Sequence, residues 1–307
     1  MDVQKLLFSK NGLSTRELAK MFIPIQEGER IPTVTAIHEK TEVARGTIQN
    51  AIKLLQSSGA ITLEARGHLG SFLIKKDMQI LLQMAGVNAI VGVMPLPYSK
   101  RYEGFATGIL TAMKNKYQVP AAMAYMRGAQ KRIEMLLSGR YDFAIISQYA
   151  ARELMNSGVE ISAIKFFGKY SYVSKHIIAF RDSDAKEIVD GMRVGIDYQS
   201  VDHVKLTARM CGGKHVQYIP MGYHQILEKL EADVIDAAIW NEDEITDKHI
   251  NMNYQPVPEE DEIDTEAVLV VSAKKPEMSK LLNEIIDVET VKDIQKRVLD
   301  GKMTPSY

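Results

Sequence analysis

Residues 28–73, GERIPTVTAIHEKTEVARGTIQNAIKLLQSSGAITLEARGHLGSFL, decide the N-terminal fold. Pro32 followed by Thr33 predicts a helix start, because a hydroxyl at the N-cap accepts from a free amide of the first turn. Val34 and Ile37 then face inward. A second helix runs through Ile48, Ala51, Ile52 and Leu55, an apolar stripe at helical spacing that Gly59 closes. Two short strands, residues 61–65 and 71–74, flank Arg66-Gly67-His68-Leu69-Gly70, whose glycines permit a hairpin turn. Upstream, Leu18, Met21, Phe22 and Ile25 mark a first amphipathic helix, with Ser14 and Glu17 as its capping box and Pro24 expected to bend or end it. Three helices and a hairpin with a basic tip are the order of a winged helix-turn-helix.

The polar side of the third helix carries chemistry suited to duplex DNA. Arg45, Thr47, Gln49, Asn50 and Lys53 offer guanidinium, hydroxyl, amide and ammonium groups where a recognition helix meets base edges and phosphates. Arg66, Gly67 and His68 at the hairpin tip, and Thr33 and Thr35 at a helix start, are candidates for phosphate contacts. Charge agrees: residues 1–76 hold 11 Lys/Arg against 7 Asp/Glu, a net of +4, while the whole chain nets −1. That balance excludes a uniformly basic coat protein and makes any nucleic-acid site local, with the N-terminal part the modestly basic one.

This stretch resembles the DNA-binding domain of the GntR family of bacterial repressors. The resemblance rests on Ile31-Pro32-Thr33, Val43, Arg45, Thr47, Ala51, Leu55, Gly59, Arg66, Gly67, Gly70, Ser71 and Phe72. Thr35, Gly46 and Ala44 depart from the family pattern. The resemblance implies a DNA-binding regulator, and because one winged helix reads too few base pairs for operator specificity, a homodimer on a pseudo-palindromic site is expected. The apolar positions Val291, Ile294 and Val298 of the C-terminal helix are candidates for the dimer contact.

With 307 residues, 46% hydrophobic and 25% charged, the chain is long enough for two globular domains, expected at residues 1–76 and 77–307. The second is expected to be α/β, since apolar runs at 88–94, 119–126 and 143–147 alternate with helical spacings such as Tyr102, Phe105, Ile109 and Met113. An internal echo organises it. Gly128, Ile133, Glu134 and Leu136 leading to Asp142, Ala144 and Ile145 recur 94 residues later as Gly222, Leu227, Glu228 and Leu230 leading to Asp236, Ala238 and Ile239. One βαβ element is therefore used twice, giving two lobes.

Ligands of open parallel sheets collect beyond the carboxyl ends of the strands. The candidate cleft residues are accordingly Pro97, Tyr98, Arg101 and Tyr102 after the first strand, Arg127 and Gly128 at a helix start, and Ser147 and Gln148 after the first repeat strand. From the second lobe come Asp197, Tyr198, Ser200, Met221, Tyr223, Trp240 and Asn241. Arg127, ahead of a helix opened by Gly128, suits an anion. Ser147 and Asn241 are equivalent in the repeat and are expected to face each other across the cleft. This organisation resembles a type 2 periplasmic-binding-protein fold, and its pairing with a GntR-type head resembles the YhfZ family of regulators. The implied partner, besides DNA, is a small polar or anionic effector.

Other function classes find little support. One cysteine, Cys211, allows neither an internal disulfide nor a cysteine-cluster metal site. The acidic stretch Glu259, Glu260, Asp261, Glu262 and Asp264 lacks the spacing and central glycine of a calcium loop. No nucleophile elbow, phosphate-binding loop or paired-histidine metal motif is present, so no catalytic residue, metal or cofactor is expected. No apolar run approaches the roughly 18 residues of a membrane span, and a cytoplasmic protein is expected. The alternatives are an enzyme acting on a small anion in the cleft, and a dimeric DNA-binding protein without an effector.

Overall fold

The computed structural model describes residues 10–117, 120–258 and 264–307. Its chain divides into two compact units. The first comprises the described residues up to Ile90, those of Met113–Ala121, and Pro276–Ile285; the second comprises the remainder.

The first unit opens with α1 (Lys10–Phe22), α2 (Val34–Thr41) and α3 (Arg45–Ser57), then β1 (Ile61–Ala65) and β2 (Ser71–Lys76). Helix α1 is already running at Lys10, so Ser14 is a buried residue within it rather than its cap. The end falls at Phe22, ahead of Pro24 as expected. Thr33 Oγ1 accepts from the Ala36 amide at 3.1 Å, the capping bond that starts α2. Between α2 and α3 only Glu42, Val43 and Ala44 intervene, with Glu42 in the left-handed conformation at φ 58°. Ile37, Ile48, Ala51 and Leu55 are buried, as are Leu18 and Phe22 of α1. Strands β1 and β2 pair antiparallel, and Arg30 bridges to Phe72 alongside them. The hairpin tip is the five-residue loop 66–70 and contains a 3-10 turn, Gly67–Leu69.

This unit runs past residue 76. Asp77 caps α4 (Met78–Met84), whose Met78, Leu81 and Leu82 are buried, and Arg16 of α1 donates to the Ala85 carbonyl at 3.1 Å. Lys76 Nζ donates to the Ile23 and Ile25 carbonyls, which ties the end of β2 to the α1–α2 connection.

The second unit contains two five-stranded sheets. Its strands are β3 (Ile90–Met94), β4 (Ala121–Tyr125), β5 (Phe143–Ser147), β6 (Ile161–Phe166), β7 (His176–Phe180), β8 (Arg193–Ile196), β9 (Gln217–Pro220), β10 (Ala237–Asn241), β11 (Asn253–Pro256) and β12 (Ala267–Ser272). The strand orders are β4-β3-β5-β12-β6 in lobe 1 and β9-β8-β10-β7-β11 in lobe 2, one topology used twice. In each, one strand is antiparallel to the repeat strand and comes from across the boundary: β12 pairs with β5 and β7 with β10. The chain thus passes between lobes twice, after β6 and after β11.

The helices of this unit are α5 (Lys100–Tyr117) up to Ala112, α6 (Ala129–Leu137), α7 (Gln148–Asn156), α8 (Val201–Met210), α9 (Ile226–Glu231), α10 (Glu242–Lys248) and α12 (Val288–Leu299); the end of α5 and α11 (Pro276–Ile285) belong to the first unit. The repeat is exact in its hydrogen bonds. Asp142 accepts from the Val91 amide at 2.9 Å and donates its own amide to the Val91 carbonyl; Asp236 makes the same pair with Arg193 at 2.8 Å and 2.8 Å. Each aspartate therefore locks the start of the third strand to the first.

Helix α12 does not offer a free apolar face. Val291, Ile294 and Val298 are buried, and Gly104 and Gly108 of α5 let the two helices approach so closely that a Cβ at Gly108 would meet the Val291 carbonyl at 2.9 Å. The expected dimer contact through those residues is thus occupied within the chain itself.

Candidate functional sites

In the first unit, Arg45, Gln49, Asn50 and Lys53 are exposed along α3, and Thr47 is half-buried. Thr35 is exposed, whereas the Thr33 hydroxyl is engaged in capping α2. At the hairpin, Gly67 and His68 are exposed; Arg66 Nε donates to Glu64 at 3.0 Å and its guanidinium lies 4.5 Å from the Phe72 ring centre. Those two contacts hold the Arg66 stem while leaving it at the surface.

In the second unit, the carboxyl ends of both sheets meet around a cavity of about 90 Å³. Lobe 1 lines it with Pro95, Leu96, Tyr98, Tyr102, Arg127, Gly128, Ala129 and Arg132. Tyr172 and Val173 follow on the first crossing. Lobe 2 contributes His176, Asp197, Ser200, Asp202, His203, Leu206, Tyr223, Ile239, Trp240 and Asn241. Tyr98 and Tyr223 face each other with ring centres 5.9 Å apart.

Several expected residues lie elsewhere. Pro97, Gln148, Tyr198 and Met221 are outside the lining, and Tyr198 is 59% exposed. Arg101 is also outside it, because its Nε binds both Asp243 oxygens at 3.0 Å and its Nη1 donates to the Tyr170 carbonyl, bracing α5 against α10. Ser147 is fully buried: its hydroxyl donates to Asp202 at 2.7 Å and caps α7 by accepting from the Ala150 amide. Of the pair expected to face each other, only Asn241 reaches the cavity. The Glu259–Glu262 run and Val119 lie outside the described residues.

Lobe 1 presents cations. Helix α6 starts at Gly128, at φ 73° and with no side-chain cap. Arg127 reaches His224 Nδ1 at 3.2 Å and Asp197 at 3.5 Å, and its Nε has no protein partner. Gly222 makes this reach possible, since a Cβ there would meet the guanidinium at 2.5 Å. Arg132, 3% exposed, donates to the Ile145 carbonyl, the Met126 carbonyl and the Tyr172 hydroxyl at 3.1, 2.8 and 3.1 Å. Those partners satisfy its hydrogen bonds but none neutralises its charge, a costly state for a buried ion.

Lobe 2 presents carboxylates. Asp197 accepts from the Gln199 amide at 3.0 Å and the Tyr223 amide at 2.9 Å, so the start of the second repeat helix is filled by the protein's own anion. Burial pushes the Asp202 carboxyl up to about 6, against the Ser147 hydroxyl that favours its charge. His203 is neutral: burial lowers it to about 4, its Nδ1 accepts from the Asp197 amide, and its Nε2 donates to the Ile239 carbonyl. His176 is likewise lowered by burial, with Nε2 3.9 Å from Asp264. The Tyr98 hydroxyl is buried without a hydrogen-bond partner, whereas the Tyr223 hydroxyl and Trp240 Nε1 engage the Glu244 carboxyl, which burial pushes up.

Arg132, Asp202, His176 and His203 were not among the expected site residues. Arg132 had a readable signal. It sits on the inward face of α6 with Ala129, Ile133 and Leu136, and 94 residues later that position is Ile226, buried in lobe 2. A charge in one copy where the other has an apolar core residue marks a place with its own task. Asp202 had none, since an acid in the first turn of a capped helix is ordinary.

Residues 77–307 match the YhfZ C-terminal domain, and residues 26–73 match a helix-turn-helix domain. The chain belongs to the YhfZ family. The uncharacterized protein YhfZ of Escherichia coli (strain K12) is 32% identical over 310 residues, covering 99% of this chain and 100% of that one. The crystal structure of YhfZ from Shigella flexneri aligns with a TM-score of 0.60 at 31% identity, covering 75% of this chain and 97% of that one. The methionine-binding protein MetQ aligns at a TM-score of 0.51 and 14% identity, covering 72% and 98%, which shows the fold alone. In this YhfZ-family chain a helix-turn-helix domain thus precedes a two-lobed periplasmic-binding-protein-like domain. No helix among the described residues is long and apolar enough to cross a membrane.

Proposed function

We propose that this chain is a DNA-binding transcriptional regulator whose two-lobed domain binds a small polar or anionic effector that changes operator affinity. The observation that carries the effector half is the set of donors on residues that line the cavity: Tyr98 Oη and Arg127 Nε have no hydrogen bond within the protein, and Arg132 has no bonded counter-charge. Buried donors that the fold leaves unpaired favour a ligand that brings acceptors. The exposed polar side of α3 supports the DNA half, with Arg45, Gln49, Asn50 and Lys53 toward base edges and phosphates.

A single winged helix reads few base pairs, so the regulator works as a homodimer on a pseudo-palindromic duplex. Sedimentation of the full chain at micromolar concentration should show the dimer; monomer alone, with and without DNA, contradicts it. The DNA half is tested by Arg45→Ala in a mobility-shift titration on the region upstream of the chain's own gene. A bidentate base contact predicts a loss of about 1–3 kcal/mol. Binding that is unchanged by the substitution and insensitive to salt overturns the assignment.

A further inference from the structure

The cavity is lined by opposite charges on opposite walls, and this refines what it takes. On the lobe 1 wall stands the Arg132 guanidinium, 97% buried, its donors bonded only to neutral oxygens. On the lobe 2 wall stands the Asp202 carboxylate, 8% exposed, both of whose oxygens share the single proton of the Ser147 hydroxyl. A carboxylate has about four acceptor positions, so the Ser147 hydroxyl and Asp202's own backbone amide leave acceptor capacity unfilled. Neither charge has a bonded partner of opposite sign, although an ion held this deep favours one strongly.

The repeat sharpens the contrast between the walls. The uncapped start of α6 adds positive potential to lobe 1, whereas the equivalent start in lobe 2 is closed by Asp197. An anion alone would answer Arg132 and leave Asp202 uncompensated beside it. Resting on the effector reading above, we infer that the ligand is a small zwitterion, its acidic group toward Arg132 and a protonated amine toward Asp202. The raised pKa of Asp202 agrees, since burial and the nearby Asp264 charge outweigh the Ser147 hydroxyl, the Arg132 charge and its own backbone amide, which favour its ionised form.

The inference is tested by calorimetric titration of the full chain with proteinogenic amino acids, each paired with the same acid lacking the amine, from alanine with propionate to glutamate with glutarate. At least one amino acid should bind roughly 10-fold or more tightly than its desamino partner, the worth of one charge-assisted hydrogen bond. Asp202→Asn should bring that ratio to near unity while the desamino acid still binds, which also shows the cavity intact. Equal binding of both members of every pair, or a preference that survives in D202N, overturns the amine assignment and leaves the anion site standing. A D202N chain that binds neither member makes Asp202 a structural residue and overturns it too. If no member of any pair binds the unaltered chain, the zwitterion inference is overturned, while the effector reading, which admits other polar or anionic ligands, stands apart from that result.

Discussion

Lobe 1 and lobe 2 share a scaffold and differ in chemistry. Both lock the third strand to the first through an aspartate, Asp142 or Asp236, and both pack a helix opened by glycine onto the sheet. At the position where lobe 2 buries Ile226, lobe 1 buries Arg132; where lobe 1 leaves a helix start uncapped at Gly128, lobe 2 fills it with Asp197. The strand ends also diverge, with Ser147 withdrawn under α7 and Asn241 at the cavity. Conserving the hydrogen bonds that set strand register preserves the fold, and side chains on the facing ends are then free to take opposite charge.

The largest expected effect comes from erasing this difference at its centre. Arg132→Leu makes lobe 1 resemble lobe 2, but it leaves the Ile145 and Met126 carbonyls and the Tyr172 hydroxyl without their donor. A loss of about 3–5 kcal/mol in denaturant unfolding is expected, together with loss of anion binding. A variant as stable as the parent would mean that relief of the buried charge offsets the three lost hydrogen bonds.

Asp202→Asn should act in the opposite direction. The folded-state pKa of about 6 lies above the unfolded value near 3.8, so the folded state is the better proton binder between them. The carboxylate therefore costs stability above pH 6, by about 3 kcal/mol from two pK units, and the cost vanishes as pH falls toward 4. D202N should be more stable than the parent at pH 7.5 and equal to it near pH 4. His203, with its pKa lowered to about 4, destabilises the fold as pH falls from 6.5 to 4, but it does so in both chains and cancels in the difference. A pH-independent difference would contradict the charged, unpaired state of Asp202.

Comparing the two locking aspartates gives a smaller effect. Asp236 also accepts from the side chains of Arg193 and Arg181, which hold its carboxyl well below the usual range, while Asp142 lies 3.8 Å from Lys275. Asp236→Asn should cost about 2 kcal/mol and Asp142→Asn about 1 kcal/mol, both read by thermal unfolding. Equal losses would show that the arginine pairs add nothing at this partly exposed site.

Much of this molecule was legible in its residues, for reasons that can be named. The 94-residue echo predicted two like lobes because strand register and helix packing need the same apolar positions in both. Thr33 and Pro32 predicted the start of α2, since capping is a local bond. Ser14 misled, because a capping-box pattern within a longer helix looks the same as one at its end. Ser147 misled in another way: equivalence in the repeat fixes where a strand ends, while the route of a hydroxyl depends on Asp202, 55 residues away. Arg101 was drawn from the cleft by Asp243, 142 residues on, which local spacing does not reveal.

The central claim is that occupancy of the two-lobed cavity is linked to operator affinity. The most direct measurement is fluorescence-anisotropy titration of the full chain onto the DNA upstream of its own gene, at fixed salt, with and without the tightest-binding amino acid of the calorimetric panel at saturation. The account predicts a shift in DNA dissociation constant of roughly 5- to 150-fold, matched by an equal shift in ligand affinity when DNA is present. Superimposable DNA curves at full ligand occupancy would contradict it.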